Sequence, residues 1–116
     1  MKKIYYLSTC DTCKRIINDL GLKSKGFIFQ DIKTEKITAS QLEEMKKLSG
    51  SYESLFSRIA RKYKELGPGA KNFGEADYKK HILAEYTFLK RPVIIVKNSI
   101  FIGNSKANIE AARKAI

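Results

Sequence analysis

The chain has 116 residues, of which 43% are hydrophobic and 30% charged, a composition typical of one soluble globular domain. No apolar run approaches the roughly 20 residues that a membrane-spanning helix needs, and the N-terminal apolar segment is too short for a signal peptide. We therefore expect a cytoplasmic protein with no membrane partner. The net charge is +11, but the basic residues are spread along the chain. This spread argues against direct nucleic-acid binding and favours a solvated lysine surface, with an anionic small substrate or an acidic protein partner as alternatives.

The first third of the sequence predicts a β-α-β unit. Residues 3–7 and 26–32 are apolar, β-prone runs that predict two strands. Between them, apolar residues recur at helical spacing and predict a helix that ends at Gly21. The buried face of this helix is made by Cys13, Ile16, Ile17 and Leu20. Because the three elements span only about thirty residues, we expect a right-handed crossover and two parallel strands.

The middle of the sequence predicts a helical insertion over about residues 38–89. The start of its first helix is indicated by two overlapping capping boxes. These boxes pair Thr38 with Gln41 and Ser40 with Glu43. Further helices are predicted over residues 52–56, 58–66 and 75–89. We interpret this segment as an insertion into one domain, residues 1–116, and not as a second domain.

The end of the sequence predicts a β-β-α unit. Val93–Val96 is a continuous apolar run of strand length, typical of a strand that is buried on both faces. Asn98 turns the chain into Ser99–Ile102, which predicts an antiparallel hairpin, and Ser105 or Asn104 caps a final helix. The whole order of elements is that of an α/β, thioredoxin-like fold. It predicts a four-stranded mixed sheet with the helical insertion between the second and third strands.

Cys10 and Cys13 are the only cysteines, and they stand where the first predicted strand turns into the first helix. The unpaired N–H groups of the helix start, with Lys14 and Arg15 nearby, predict a lowered pKa for the Cys10 thiol. Cys13 is suited to resolve a mixed disulfide or a sulfenic acid formed on Cys10. The alternative is that Cys13 is simply a small core residue. With His81 as the only histidine, the chain has too few ligands for a zinc site, so no metal is expected.

Lys90, Arg91 and Pro92 stand immediately before the third predicted strand. A proline that opens a central strand indicates that the strand begins there or that the peptide bond is cis. In thioredoxin-like proteins a cis-proline at this place lies beside the active cysteine and shapes the substrate groove. Arg91 would then direct its guanidinium at an anion beside Cys10. The alternative is an ordinary strand-initiating proline preceded by surface charge.

Several segments together resemble the arsenate reductase and Spx family. They are residues 7–14 with the CxxC motif, residues 63–67, residues 89–94, and Ile102 with Gly103. The resemblance implies a thioredoxin-like fold, no bound cofactor, and a nucleophilic Cys10 that attacks arsenate before glutathione and glutaredoxin resolve the adduct. It also implies three arginines on the oxyanion. Arg91 matches one, Arg58 approximately matches another, and Gly103 occupies the place of the third.

Two functions follow from the resemblance. The first is a thiol oxidoreductase for arsenate or a related thiol or oxyanion substrate, coupled to glutathione as co-substrate or to glutaredoxin. Its catalytic residues are Cys10 and Cys13, and its substrate- or anion-binding residues are Arg91, Pro92, Arg58 and Lys14. The alternative is an Spx-like redox-sensing transcriptional regulator, in which the CxxC pair is a thiol-disulfide switch and the partner is RNA polymerase. In that family a glycine contributes to the polymerase contact, and here Ser51 stands at its position, directly after Gly50.

Overall fold

The computed structural model describes residues 1–116, and the chain divides into two compact units. The first unit is formed by Met1–Lys36 together with Arg91–Ile116, and the second by Ile37–Lys90. The second unit corresponds to the segment for which the sequence predicts a helical insertion. The assignment of the chain to a single domain stays a prediction.

All four strands belong to the first unit. They are β1 (Lys2–Tyr6), β2 (Ile28–Asp31), β3 (Val93–Val96) and β4 (Ser99–Ile102). They form one mixed sheet in the order β2-β1-β3-β4, in which β1 and β2 are parallel and β3 is antiparallel to both β1 and β4. The predicted four-stranded, thioredoxin-like arrangement is confirmed.

Four α-helices and five 3₁₀ helices complete the fold. The α-helices are α1 (Asp11–Leu20), α2 (Ala39–Ser49), α3 (Glu75–Ala84) and α4 (Lys106–Ala115). The 3₁₀ helices cover Leu22–Ser24, Glu53–Leu55, Arg61–Leu66, Pro68–Asn72 and Tyr86–Phe88. No helix is long and apolar enough to cross a membrane, and no group of three or more His, Cys, Asp or Glu side chains is arranged to hold a metal ion.

The core of the first unit is built from the face of α1 that the sequence predicts. The buried residues of this helix are Cys13, Ile16, Ile17 and Leu20. The three aliphatic ones cluster with residues of β1, β3 and α4, namely Ile4, Ile94, Ile109 and Ala112. The helix ends at Gly21, whose φ of 65° lies in the left-handed region that favours glycine. Every residue of β3 is buried, as its continuous apolar run predicts.

In the second unit, α2 begins at the first of the two predicted capping boxes. The Gln41 N–H donates a hydrogen bond to the Thr38 hydroxyl (3.0 Å), and the Thr38 N–H donates one to the Gln41 side chain (3.1 Å). The second predicted box, Ser40 with Glu43, is wrong, because Ser40 already lies inside α2 and Thr38 is the N-cap residue.

Three other helices of the second unit are shorter than the sequence predicts. The helix expected over residues 52–56 is the 3₁₀ helix Glu53–Leu55. The helix expected over residues 58–66 is the 3₁₀ helix Arg61–Leu66. The helix expected over residues 75–89 ends with α3, because Glu85 adopts an extended conformation (φ −141°, ψ 112°). The Glu85 carboxylate accepts hydrogen bonds from the N–H (3.2 Å) and the hydroxyl (2.9 Å) of Thr87, and this contact starts the next 3₁₀ helix instead.

Candidate active site

The turn between β1 and α1 presents Cys10 at the start of the helix. The Cys10 N–H donates a hydrogen bond to the carbonyl of Leu7 (3.0 Å), and the Cys10 carbonyl accepts one from the N–H of Lys14 (3.2 Å). Cys10 is therefore the N-cap residue of α1, with an extended backbone (φ −97°, ψ 112°). Serine, threonine, aspartate or asparagine is usual at this position, so here a thiol stands beside the N–H groups that the helix leaves unpaired.

The surroundings of the Cys10 sulfur favour the thiolate. Burial disfavours ionisation, but it is outweighed by the nearby Cys13 amide and thiol, by the positive charge of Arg91, and by the nearby Thr12 amide, although the sulfur accepts no capping hydrogen bond. Together these contacts hold the pKa of Cys10 below its ordinary value. The direction is the one that the sequence predicts. The source of the positive charge differs, since the sequence points to the basic residues of the first helical turn and the structure points to Arg91.

Cys13 has the opposite tendency, with a pKa raised to about 11. Burial is the main cause, and the hydrogen bond to Cys10 and the negative charge of Cys10 add to it. A hydrogen bond from the Leu7 backbone and the charge of Arg91 act against the increase. At neutral pH Cys10 is thus the thiol that ionises more readily, while its neighbour keeps its proton. Thiol-disulfide exchange needs such a pair, one nucleophile and one thiol held in reserve.

Arg91 and Pro92 lead directly into β3, the strand that pairs with β1. The Arg91–Pro92 peptide bond is cis, and Pro92 is buried. The next residue, Val93, is the register partner of Tyr5 near the end of β1. This pairing brings the cis bond to the edge of the sheet where β1 ends and the turn that contains Cys10 begins. The guanidinium of Arg91 is close enough for its charge to lower the pKa of both cysteines.

The two remaining predicted anion-binding residues differ in their placement. Lys14 is exposed on α1 and lines a cavity of about 290 Å³ within the first unit. The other residues that line this cavity are Tyr6, Ser8, Ile17, Asn18, Lys23 and Phe29. Arg58 belongs to the second unit, where its guanidinium donates hydrogen bonds to the carboxylate of Glu53 (2.8 Å) and the hydroxyl of Tyr78 (2.8 Å). The first unit therefore contains both cysteines, the cis bond and Lys14.

The sequence motifs do not point to Asp31, although its carboxylate contacts the cysteine turn. This last residue of β2 accepts hydrogen bonds from the N–H groups of Ser8 (3.4 Å) and Lys33 (3.1 Å). Ser8 lies two positions before Cys10. The signal that could have identified Asp31 is topological. The carboxyl ends of two parallel strands meet at one edge of a sheet, so a polar residue that ends β2 lies beside the turn that follows β1.

The chain resembles known proteins over nearly its whole length. The model of the ArsC family matches residues 5–112. The solved structure of an arsenate reductase (ArsC) related protein from Brucella melitensis is 27% identical, with a TM-score of 0.75, and the match covers 95% of this chain and 92% of that chain. The arsenate reductase from Vibrio cholerae is 12% identical, with a TM-score of 0.80 and a coverage of 99% and 97%, which is a likeness of fold. No curated protein sequence matches the chain significantly.

Proposed function

Because the chain belongs to the ArsC family, we propose that it is a thiol oxidoreductase in which Cys10 is the nucleophile and Cys13 the resolving thiol. Family membership supports thiol oxidoreductase chemistry in general, and we assign arsenate, or a related thiol or oxyanion, as the substrate. One observation carries the proposal. Cys10 stands at the N-cap of α1 and Cys13 is buried one helical turn further on, and their pKa values are shifted in opposite directions.

The proposed reaction takes two electrons from two thiols. The Cys10 thiolate attacks the arsenic atom of arsenate, and an oxygen of arsenate leaves as water, which gives a sulfur–arsenic(V) adduct. A second thiol then attacks the Cys10 sulfur. The sulfur–arsenic bond breaks and its electron pair passes to arsenic, which leaves as arsenite. The two sulfur atoms are left as a disulfide, so they are oxidised by the two electrons that arsenic gains.

The contact between the two cysteines supports an order in which the two thiols react. After burial, the hydrogen bond to Cys10 and the charge of its thiolate are what raise the pKa of Cys13. Once the Cys10 sulfur is bonded to arsenic or to another thiol, its negative charge is gone. Cys13 then loses its proton more readily than before. We therefore assign to Cys13 the attack on a mixed disulfide of Cys10, after the first step and not before it.

Arg91 is the residue that we assign to the oxyanion. Its charge already acts on the Cys10 sulfur, so an anion bonded to that sulfur comes under the same charge. Pro92, directly after it, is assigned to the wall of the substrate groove. Lys14 is assigned a supporting role through its charge on the first turns of α1. Arg58 is assigned a weaker supporting role, since its guanidinium already bonds Glu53 and Tyr78.

We further propose that glutathione is the co-substrate and that glutaredoxin returns the enzyme to its reduced form in the cytoplasm. In this scheme glutathione supplies the second thiol, and no cofactor is bound. The net charge of +11 suits both arsenate and the carboxylates of glutathione. The same charge suits an acidic protein partner, so it supports the coupling without specifying it.

A second function is favoured by the same cysteine pair. Both cysteines lie at the start of α1 and each affects the pKa of the other, which supports an intramolecular disulfide between them. Such a disulfide would act as the switch of an Spx-like regulator that binds RNA polymerase. In that case binding to polymerase depends on the oxidation state of the pair and needs no small substrate.

The experiment that tests the enzyme is NADPH consumption with arsenate, glutathione, glutaredoxin and glutathione reductase. Wild type is run beside Cys10→Ser and Cys13→Ser. We expect turnover in the wild type and none in Cys10→Ser, with a reduced or unchanged rate in Cys13→Ser if glutathione replaces the resolving thiol. No turnover in the wild type would overturn arsenate reduction. Polymerase capture by the oxidised and the reduced protein would then test the regulator.

A further inference from the structure

The turn that carries Cys10 is held from outside by a carboxylate. Within the turn, the Cys10 N–H donates to the carbonyl of Leu7. The Ser8 N–H is bonded to a different element, since it donates to the Asp31 carboxylate at 3.4 Å, and the Ser8 hydroxyl bonds the same carboxylate. A second amide, that of Lys33, donates to the same carboxylate oxygen at 3.1 Å. One side chain thus joins the end of β2 to the start of the cysteine turn.

Asp31 is itself fixed by the backbone around it. It is the register partner of Tyr6, and the N–H of the following residue, Ile32, donates to the Tyr6 carbonyl at 2.9 Å. The Asp31 carbonyl accepts hydrogen bonds from the N–H groups of Glu35 (2.8 Å) and Thr34 (3.2 Å). The carboxylate therefore projects from an anchored point of the sheet and its following turn.

The contacts of Asp31 also favour its ionised form. Burial opposes ionisation, but hydrogen bonds from the Ser8 hydroxyl and from the Lys33 and Ser8 backbones outweigh it, with the charge of Lys33 added. They hold the pKa of Asp31 below its ordinary value, so the group is a carboxylate at neutral pH. An ionised acceptor makes stronger hydrogen bonds to backbone N–H groups than a neutral one does.

We propose that Asp31 is a positioning residue: by fixing Ser8 it sets the turn that holds the Cys10 sulfur at the N-terminus of α1. The link is short, since only Thr9 separates Ser8 from Cys10. A change of the backbone at Ser8 therefore moves the sulfur away from the N–H groups of the first helical turn. Asp31 contacts neither the sulfur nor a reacting atom. Its importance for catalysis rests on the proposed function, in which Cys10 is the nucleophile.

Two variants of Asp31 distinguish positioning from a direct effect of charge. A negative charge disfavours a nearby thiolate, so with charge alone both Asp31→Asn and Asp31→Ala would lower the pKa of Cys10. With positioning, the asparagine oxygen still accepts the turn hydrogen bonds and alanine offers no acceptor. We expect an unchanged or slightly lower pKa of Cys10 in Asp31→Asn and a raised one in Asp31→Ala. The other groups that act on the sulfur, Arg91 and Cys13, and Lys33 beside the carboxylate, are the same in both variants.

The readout is the rate of Cys10 alkylation by iodoacetamide as a function of pH, with the modified cysteine identified by mass spectrometry. Cys13, with a pKa of about 11, stays protonated in the neutral and acidic range. Because the thiolate is the reactive form, the rate for Asp31→Ala at pH values below the pKa should fall several-fold, about tenfold for each unit by which the pKa rises. Glu35→Ala is the matched control, since it removes an exposed carboxylate from the same turn and should leave the profile unchanged.

An alkylation profile of Asp31→Ala that coincides with the wild-type profile, or that shifts to lower pH, overturns the proposal. If Asp31→Ala does not fold, amide exchange in the wild type tests the proposal instead. Its Ser8 amide should exchange slowly with solvent in NMR spectra, and exchange at the rate of an unprotected amide overturns the proposal. None of these measurements uses arsenate or a reductant. A failure of the proposed function therefore appears in the NADPH assay, and a failure of positioning appears in the alkylation profile.

Discussion

The thiol of Cys13 contacts the sulfur of Cys10, and this contact lowers the pKa of Cys10 while it raises that of Cys13. Burial is the largest influence on both residues and disfavours both thiolates. Only at Cys10 do the helix amides, the neighbouring thiol and the charge of Arg91 together outweigh it. The two thiols thus differ in reactivity because they are buried to different extents, although they are only one helical turn apart. The outer thiol is at the N-cap of α1, and the inner one is in the core.

Replacement of Arg91 by glutamine should make Cys10 less reactive at neutral pH. Loss of a positive charge beside a thiolate raises its pKa, so a smaller fraction of Cys10 is ionised. The measurement is the pH profile of iodoacetamide alkylation, which should shift to higher pH. Arg15→Gln is the matched control, because it removes the same charge from an exposed position on α1. Equal shifts in the two variants would contradict the attribution of the charge effect to Arg91.

The raised pKa of Cys13 predicts a loss of stability at alkaline pH. Between the unfolded value of about 8.5 and the folded value of about 11, the unfolded chain has lost this proton and the folded chain has kept it. The unfolded state therefore binds fewer protons, and the free energy of unfolding falls as the pH rises. Across this window we expect a decrease on the order of 3 kcal/mol from this residue.

Cys13→Ser isolates this effect, because the hydroxyl keeps a hydrogen-bond donor beside Cys10 and does not ionise in this range. Urea unfolding of both proteins, kept reduced, at about pH 8 and about pH 10.5 gives the comparison. The wild type should lose more stability than the variant between the two pH values. Parallel losses in the two proteins would show that Cys13 ionises equally well in the folded state.

Replacement of isoleucine by alanine should lower the free energy of unfolding by very different amounts at two positions. Ile94 is fully buried in β3, within the cluster that joins the sheet to α1 and α4. Ile94→Ala should lower the free energy of unfolding by about 2–5 kcal/mol. Ile59 is 94% exposed, so Ile59→Ala should change it by less than about 0.5 kcal/mol. Urea denaturation measures both. A cost at position 59 similar to that at position 94 would mean that Ile59 is covered in solution.

Much of the first unit could be predicted because the spacing of apolar residues in its sequence matches the faces that are buried in its structure. The apolar spacing in α1 places Ile16, Ile17 and Leu20 on one face, and that face is the one that the sheet covers. The continuous apolar run of β3 requires burial on both sides, which only a central strand provides. The CxxC motif lies where the predicted strand of residues 3–7 leads into this helix. Its place at the strand-to-helix turn therefore follows from the sequence.

Prediction from the sequence fails where a structural feature depends on a contact with a distant residue or on one side chain. Periodicity continues through residues 75–89, but the carboxylate of Glu85 bonds Thr87 and ends the helix early. The positive charge at Cys10 comes from Arg91, which the chain brings in through the pairing of β3 with β1. Asp31 reaches Ser8 across 23 positions of sequence, and no local pattern records that contact.

Glu75 should contribute to the stability of the second unit through hydrogen bonds. Its carboxylate accepts one from the Tyr52 N–H (2.7 Å) and one from the Glu53 N–H (3.0 Å), at the start of a 3₁₀ helix. Glu75→Ala removes both acceptors and should cost about 1 kcal/mol, whereas Glu75→Gln keeps one oxygen and should cost less. Thermal unfolding gives the comparison, with the exposed Glu44→Ala as control. Equal costs for alanine and glutamine would indicate a charge effect instead of hydrogen bonding.

Gly103 stands where the resemblance to arsenate reductases places the third oxyanion-binding arginine. Its φ of 90° is strained for any other residue, and its backbone is held on both sides. Its N–H donates to the Pro92 carbonyl (2.9 Å), and its carbonyl accepts from the Asn108 side chain (2.8 Å). A Cβ at this position would meet no atom within 4 Å. Gly103→Arg should therefore fold at a cost of about 1–2 kcal/mol from backbone strain, with no clash at the Cβ atom.

If arsenate is the substrate, Gly103→Arg should raise its kcat/KM, since the variant adds a charge-assisted donor of about 1.5–3 kcal/mol. That range corresponds to an increase of about one to two orders of magnitude. Gly103→Ala is the matched control, because it carries the same strain without the guanidinium and should not gain activity. The NADPH-coupled assay, run over a range of arsenate concentrations, measures both. A gain restricted to the arginine variant supports an oxyanion site that is one donor short. Equal activities in the two variants would show that a side chain at position 103 does not reach the anion.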